Sequence, residues 1–358
     1  MSLYLCVDCG GSKTSAVIAN SAGEIIGRGI GGPSNCTYLT VDAFLSAITV
    51  AISEALKTCS SPPSVDPLPL PPPSELAFAK VWFGVSGADS PAAIAAITPG
   101  ISKLLGIPEG PRLAVANDTH LLAAPLRMHH DVGHAVAVIG GTGSIAVSFS
   151  GDASGALTEL GRIGGWGWIL GDEGGGYDVG REAVRQVMLA HDRASVMASP
   201  AKSMLHDKLV ERFALGDIME ILGTVHLADP VANAAVAADT PHYLTVPREK
   251  RLSSLAPIVF ECAFQHGDAL AMSVLRTSVG KLADEIAVLL GDATDAAPRL
   301  IKAKDSVVCF GGSLVGIEAY RKLLLDDLAS RGHAFRYVEF VDDCAAVGAR
   351  ALAMAGKS

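Results

Sequence analysis

The pattern that most constrains this chain occurs twice. Residues 3–7 form an apolar run that ends in Asp8 and opens into a glycine-rich turn, 9–14, and a second apolar run, 15–20, follows at once. Near residue 135 the arrangement returns as Ala-Val-Ala-Val-Ile139, Gly140-Gly-Thr-Gly-Ser144 and Ile-Ala-Val-Ser-Phe149. Short apolar runs bounded by such turns read as buried strands. Each copy therefore predicts the start of a β-meander, and two copies predict an internally duplicated α/β fold with a cleft between its halves.

A third strand, 305–310, also ends in a glycine-rich turn, Gly311-Gly-Ser313. Ligands of α/β proteins gather at the carboxyl ends of strands, so the three turns are expected to converge. Gly10, Gly11, Gly143, Gly311 and Gly312 would let backbone N–H groups approach phosphate oxygens. Ser12, Thr14, Thr142 and Ser313 add hydroxyl groups, Lys13 a cation, and Asp8 a carboxylate able to hold Mg²⁺ through water. Taken alone, the first turn reads equally well as a tight hairpin with an incidental acid. The chain lacks a G-x-x-x-x-G-K-[ST] loop, a G-x-G-x-x-G after a strand and an H-R-D loop, which excludes Walker-type, standard Rossmann and protein-kinase readings.

Between these turns the periodicity predicts a helix at 40–57, a strand at 76–85, a helix at 91–105, a strand at 112–116 and a helical run at 119–126. Beyond the second meander it predicts a helix at 179–191, mostly helix over 201–277, a helix at 279–290, a strand at 336–341 and a helix at 344–355. Seven prolines in 60–74 predict a surface insertion of polyproline character, a spacer dispensable for activity. The chain has 358 residues, long enough for two domains. With 49% hydrophobic residues and a mean hydropathy of +0.37, it can bury large cores. No apolar run is long enough to span a bilayer, and a net charge of −9 without a basic tract argues against nucleic acid.

Seven cysteines without a leader segment fit reduced thiols in the cytoplasm. Cys6 and Cys9 have C-x-x-C spacing, but an offset of three on a strand puts their side chains on opposite faces. His129, His130 and His134 lack a carboxylate or cysteine at ligand spacing and read as solvated loop residues.

Asp8-Cys-Gly-Gly-Ser-Lys-Thr14, Asn117-Asp118, Gly141-Thr-Gly-Ser144, Gly164-Gly-Trp-Gly-Trp-Ile-Leu-Gly-Asp-Glu-Gly174 and Gly311-Gly-Ser313 together resemble the N-acetylglucosamine kinase family. That family is of the BadF/BadG/BcrA/BcrD type, within the sugar kinase/Hsp70/actin superfamily. The motifs run in the family's order from residue 3 to about 355, and the Gly-Trp-Gly segment is the most specific; the family usually has glycine at the position of Cys9.

The resemblance implies two ribonuclease-H-like lobes, 1–118 and 119–342, with 343–358 packing back onto the first. They would close over ATP, Mg²⁺ and a small-molecule amino sugar in a cytoplasmic homodimer. It implies ATP contacts at Ser12, Thr142 and Ser313, and sugar contacts at Asn35, Ser144, Gly165, Trp166, Gly167 and Asp172. Asp118 would be the general base for the sugar 6-hydroxyl. From the residues alone, Asp118 can be a helix cap, Asn35 a turn residue, Trp166 and Trp168 core, and Asp172-Glu173 a helix-start acid pair. Two other functions share the phosphate turns. A dehydratase-activating ATPase would need cluster-binding cysteines, yet none lies between Cys59 and Cys262. A sugar-sensing regulator of this superfamily would carry a DNA-binding domain and a zinc loop.

Overall fold

The computed structural model describes residues 2–152, 156–197, 202–231, 240–291, 299 and 301–354. Parts of the expected helical stretch (201 and 232–239) and of the terminal segment (355–358) lie outside them.

The first half runs β1 (Leu3–Cys9), β2 (Thr14–Ala19), β3 (Ile25–Gly31), α1 (Val41–Leu56), β4 (Phe78–Val85), α2 (Pro91–Leu105), β5 (Leu113–Asn117) and α3 (Thr119–Leu122). Its strands form one sheet in the order β3-β2-β1-β4-β5. β1, β2 and β3 are antiparallel neighbours, the expected meander, whereas β4 and β5 join parallel to β1. α1 starts at Thr40, whose hydroxyl accepts the Ala43 N–H, and buries Phe44, Ile48, Ile52 and Leu56 at four-residue intervals. It lies directly on β3 because Gly27, Gly29 and Gly31 all face it. A Cβ at Gly29 would sit 2.0 Å from the Ala51 carbonyl oxygen.

The second half runs β6 (His134–Gly140), β7 (Ser144–Gly151), β8 (Leu157–Gly164), α4 (Gly176–Ala194), α5 (Met204–Phe213), α6 (Ile221–Val225), α7 (Arg248–Ser253), α8 (Ala256–Phe260) and α9 (Ala269–Leu289). β9 (Ser306–Gly311), α10 (Glu318–Ser330), β10 (Tyr337–Phe340) and α11 (Cys344–Met354) follow. A second five-stranded sheet has the order β10-β9-β6-β7-β8, so the chain holds two sheets with the same pairing plan. The periodicity missed two elements. β8 is an edge strand, mostly exposed, whose apolar residues are interrupted by polar ones and glycines and form no apolar run. α10 buries Tyr320, Leu324 and Leu328, a four-residue spacing that the sequence did carry.

Each sheet covers two faces. Leu5, Val7 and Cys9 point to the core that α1 and α2 cover, while Tyr4 and Cys6 face Leu121 and the alanines of α11. Cys6 and Cys9 therefore lie on opposite faces, as strand geometry requires. α11 follows β10 in the chain yet packs against β1 and β2 of the first sheet. Its register is set by Asp343, whose carboxylate accepts the Ala346 N–H at 2.9 Å and pairs with Arg28 of β3 at 2.6 Å.

The proline-rich stretch is not the free-standing spacer its composition suggested. Leu68 and Leu70 pack against the first core, and the Leu68 N–H donates to the Ser53 carbonyl at 3.3 Å. The prolines extend the chain, and the leucines between them reach apolar surface left by α1. Replacing 60–74 by a Gly/Ser linker is expected to lower stability by about 2 kcal/mol, the scale for two partly buried leucines. Turnover should stay within a few-fold. Thermal melts with initial rates test this; an unchanged melting temperature would refute the packing role.

Candidate active site

β1, β4 and β5 are parallel and adjacent, so their carboxyl ends share one edge. Their register aligns Asp8 with Gly84 and Ala116, and Cys9 with Val85 and Asn117. The residues just beyond, Ser86 to Asp89 and Asp118, are thereby delivered beside Asp8. The loop after β3 is stitched to the same edge: the Cys36 N–H donates to the Ser86 carbonyl, and the Ser86 N–H to that of Cys9. Asn35 thus donates its side-chain N–H to the Ser86 hydroxyl at 3.1 Å. Gly87 makes this close fit possible. Its φ of +86° is left-handed, and a Cβ there would sit 2.6 Å from the Asn35 side-chain oxygen.

Asp118 is not the helix cap its position allows. Its side chain makes no capping bond, and Asn117 Oδ1 accepts the Thr119 N–H instead. Burial raises the Asp118 carboxyl above the usual carboxylate range; the Thr119 N–H, which lies within reach of this carboxylate too, and Ser86 oppose it, and Asp89 adds to it. Asp8 is pushed up to about 6, by burial first and then by the negative charges of Asp118 and Asp343, with Lys13 opposing. The folded protein therefore binds a proton on Asp8 more tightly than the unfolded chain. This contribution to stability is complete at acid pH and is lost as pH rises through about 6. Asp8→Asn should accordingly raise the melting temperature above pH 7 and leave it nearly unchanged near pH 4. Melts across that range decide it, and equal gains at both pH values would count against the charge argument.

Among the first-turn residues, Ser12 and Lys13 are exposed, and the turn is closed by the Gly10 N–H on the Lys13 carbonyl. Thr14 is different from the expectation. It is fully buried at the start of β2, and its hydroxyl is engaged with the Gly32 carbonyl and the Ser34 hydroxyl at 2.7 Å. It shapes the turn from within and has no hydroxyl to offer a phosphate.

In the second sheet, parallel β6 and β9 set Gly140 beside Gly311–Gly312. The Leu314 N–H donates to the Gly140 carbonyl, and the N–H groups of Gly176 and Tyr177 at the start of α4 donate to Gly141 and Thr142. Thr142 and Ser313 share a cavity of about 390 Å³ with His242, Lys250 and Ser253. Lys250 Nζ donates to the Thr142 hydroxyl at 3.3 Å. Lys250 is held in place by its neighbour Arg251, a buried guanidinium that donates to the carbonyls of Tyr243, Thr224 and Leu227. Nothing in the local sequence marked Lys250, because its relation to Thr142 spans 108 residues and exists only after α7 docks on α4.

Asp172 lies against this second turn. Its φ is +64°, and its Oδ1 accepts the Ser144 N–H at 3.2 Å, while Gly143 leaves the room for it. Burial raises its carboxyl, with Glu249 adding. Ser144 is buried and spends its hydroxyl on the Glu173 carbonyl at 2.8 Å. Glu173 takes the other path, pairing with Arg181 at 3.0 Å. That pair belongs to a network with Asp178, Glu182 and Lys281 that fixes the glycine-rich loop to α4 and α9. Burial opposes charge on Asp178, but Lys281 holds it below the usual range. Trp166 is 56% exposed, with its ring against Gly171, and Gly165 and Gly167 are exposed beside it. Trp168 is half-buried, edge-on to Tyr177. Arg162 reaches from β8 to Asp89 at 3.4 Å, with its other end beside Gly165. It links the sugar-loop candidates to the edge carrying Asn117 and Asp118. Of the loop histidines, His129 is not solvated: it bonds Glu339 at 2.8 Å and stacks on Tyr337.

A model of the BadF/BadG/BcrA/BcrD ATPase family matches residues 5–339. The chain belongs to this family. N-acetyl-D-glucosamine kinase of Dictyostelium discoideum is 26% identical over 329 residues, covering 92% of this chain and 89% of its own. N-acetylmuramic acid/N-acetylglucosamine kinase of Clostridium acetobutylicum is 25% identical over 292 residues, with 79% and 77% covered. A solved structure from Porphyromonas gingivalis, provisionally described as an N-acetylglucosamine kinase, matches with a TM-score of 0.60 at 19% identity over 100% of both chains. It has the same two-sheet fold. Among the described residues no helix is long and apolar enough to cross a membrane.

Proposed function

We propose that this chain transfers the γ-phosphoryl group of ATP to the 6-hydroxyl of an amino sugar, N-acetyl-D-glucosamine first among the acceptors. The observation that carries the reading is the convergence of Asp118, Asn35 and Asp8 on one sheet edge, with Asp118 half-buried and its side chain making no N-cap bond. Membership of an ATPase family supports the nucleotide, and the names of the two relatives support the sugar.

Asn35, Gly165, Trp166 and Asp172 would hold the sugar. Asp118 would accept the proton of the 6-hydroxyl as that oxygen attacks, its raised basicity favouring the transfer. The turns at 10–13 and 141–143 would take the phosphates, and the cavity that Thr142 shares with Ser313 and Lys250 would take the nucleoside. Among the described residues no three metal-binding side chains form a cage. Asp8 alone fits Mg²⁺ held through water and phosphate oxygens, the usual mode for this ion. Mg²⁺ there would neutralise charge on the β- and γ-phosphates. The lobes would divide near residue 118 and rejoin at 343, with 118–125 and 342–343 as hinges. Free cysteines suit a cytoplasmic setting. The dehydratase-activator reading finds no support, since Cys9 is fully buried under α1 and cannot reach a cluster.

An acceptor panel of N-acetylglucosamine, glucosamine, N-acetylmannosamine and N-acetylmuramic acid, with ATP and Mg²⁺, tests the reading. Formation of a sugar 6-phosphate supports it, and ATP turnover indifferent to every sugar would overturn it. Lys250→Ala should raise the KM for ATP by roughly tenfold, the scale of one hydrogen bond to a charged group, and leave the KM for the sugar unchanged. A reversed pattern would place Lys250 at the sugar instead.

A further inference from the structure

One large cavity, among the described residues, belongs to neither group of turns. It measures about 820 Å³ and runs along β5, with walls from both sheets: β4, β5 and α2 on one side, β7 and β8 on the other. β5 is the last strand of its sheet, so its outer backbone edge faces this space. Neither Asp118, Asn35, Trp166 nor any glycine-rich turn lines it; it touches the edge of the candidate active site through Ala88, Asp89, Asn117 and Arg162.

Its chemistry is opposite to that of the chain. The protein carries a net charge of −9. Yet four cations, Lys80, Arg112, Arg127 and Arg162, line the cavity against two lining carboxylates, Asp89 and Glu159, with Asp152 acting on Arg127 from beyond the lining. Only Arg162 pairs with one of those acids. The Arg112 guanidinium donates to the carbonyls of Phe78 and Ala79, which leaves its charge uncompensated by an acid. Arg127 lies over the ring of Trp82 at 4.2 Å, and its buried Nε has no hydrogen-bond partner. His120, edge-on to Phe149, likewise buries Nδ1 without a partner. Two unsatisfied polar atoms beside one cavity are an uncommon cost, because each forfeits its hydration. The remaining wall is apolar, with Trp82, Val147 and Leu352.

We infer that this cavity is a second ligand site, built for a small organic phosphate. The lining cations outnumber the lining carboxylates and suit the anion of a phosphomonoester, Lys80, Arg112 and the Arg127 guanidinium supply donors, and the Trp82–Leu352 wall takes a ring or carbon body. The volume lies in the range of small-molecule sites. Because its walls come from both sheets, an occupant also biases the spacing of the lobes. If the chain makes a sugar 6-phosphate, which rests on the proposed function, its own product falls in this class.

The test is calorimetric binding of N-acetylglucosamine 6-phosphate and of inorganic phosphate to the full chain. Excess N-acetylglucosamine and ADP occupy the other sites. One equivalent of the sugar phosphate should bind the wild type. Arg127→Met, which keeps the stem over Trp82, should weaken binding at least tenfold. Ala114→Trp, a filling of the cavity from an exposed position of β5, should do the same with no charge removed. Asp118→Asn should bind as the wild type does. Absence of binding by both probes at millimolar concentration overturns the inference, as does wild-type affinity in whichever variant keeps its melting temperature. Loss of binding in Asp118→Asn would place the ligand in the active site and overturn it too. Turnover plays no part in these measurements, so failure of the kinase reading in the acceptor panel is a separate result.

Discussion

Asp118→Asn is expected to lower kcat by roughly 10²–10⁴-fold, the usual contribution of a positioned general base, with little change in the KM for the sugar. Asn keeps the shape and the hydrogen-bonding reach of the side chain but cannot take a proton. The interaction it removes strengthens only as the hydroxyl oxygen attacks, so the loss falls on the transition state and not on ground-state binding. Burial of Asp118 is part of the same argument, since a carboxylate poorly solvated by water is a stronger base. The fold should tolerate the change, because the neighbouring helix is capped by Asn117 and not by Asp118. Steady-state kinetics at matched melting temperatures give the answer. A kcat near wild type would remove Asp118 from the chemistry.

Asp172 should respond in the other kinetic constant. Its carboxylate accepts the Ser144 N–H and so holds both the second glycine-rich turn and the loop bearing Trp166. Asp172→Ala removes a charged acceptor worth about 1.5–3 kcal/mol and places alanine at a φ of +64°. The KM for the sugar should rise by roughly 10- to 100-fold on that scale, with kcat falling less. Asp172→Asn retains an acceptor oxygen and a residue at ease in the left-handed region, so its effect should be several-fold smaller. Should Asp172→Asn alone abolish turnover while Asp118→Asn does not, the base is Asp172.

Much of the site was legible because its residues sit at strand ends. An acid or a glycine directly after an apolar run is delivered to one edge of a sheet by the period of the strand alone, as with Asp8, Asp118 and Gly140 to Gly143. Hydroxyl groups were less legible. Thr14 and Ser144 lie in the same turns as Ser12 and Thr142, yet they are buried and bonded within the protein. Which side of a turn a hydroxyl faces depends on what packs beneath it, and composition does not carry that. The leucines of the proline-rich stretch were hidden in the same way, since their apolar partners lie on a helix read separately.

The duplicated strand–turn–strand pattern thus determined the two sheets and the strand-end positions of the glycine-rich turns, because period-two burial and glycine placement act within a few residues. Only the tertiary structure decided that Arg162 of β8 meets Asp89 beyond β4, that Lys250 meets Thr142, and that α11 returns to the first sheet. It alone placed a cation-rich cavity along the free edge of β5. Each of these joins residues tens to hundreds of positions apart. Such contacts are set by how whole helices and sheets pack, and no local pattern in the chain encodes them.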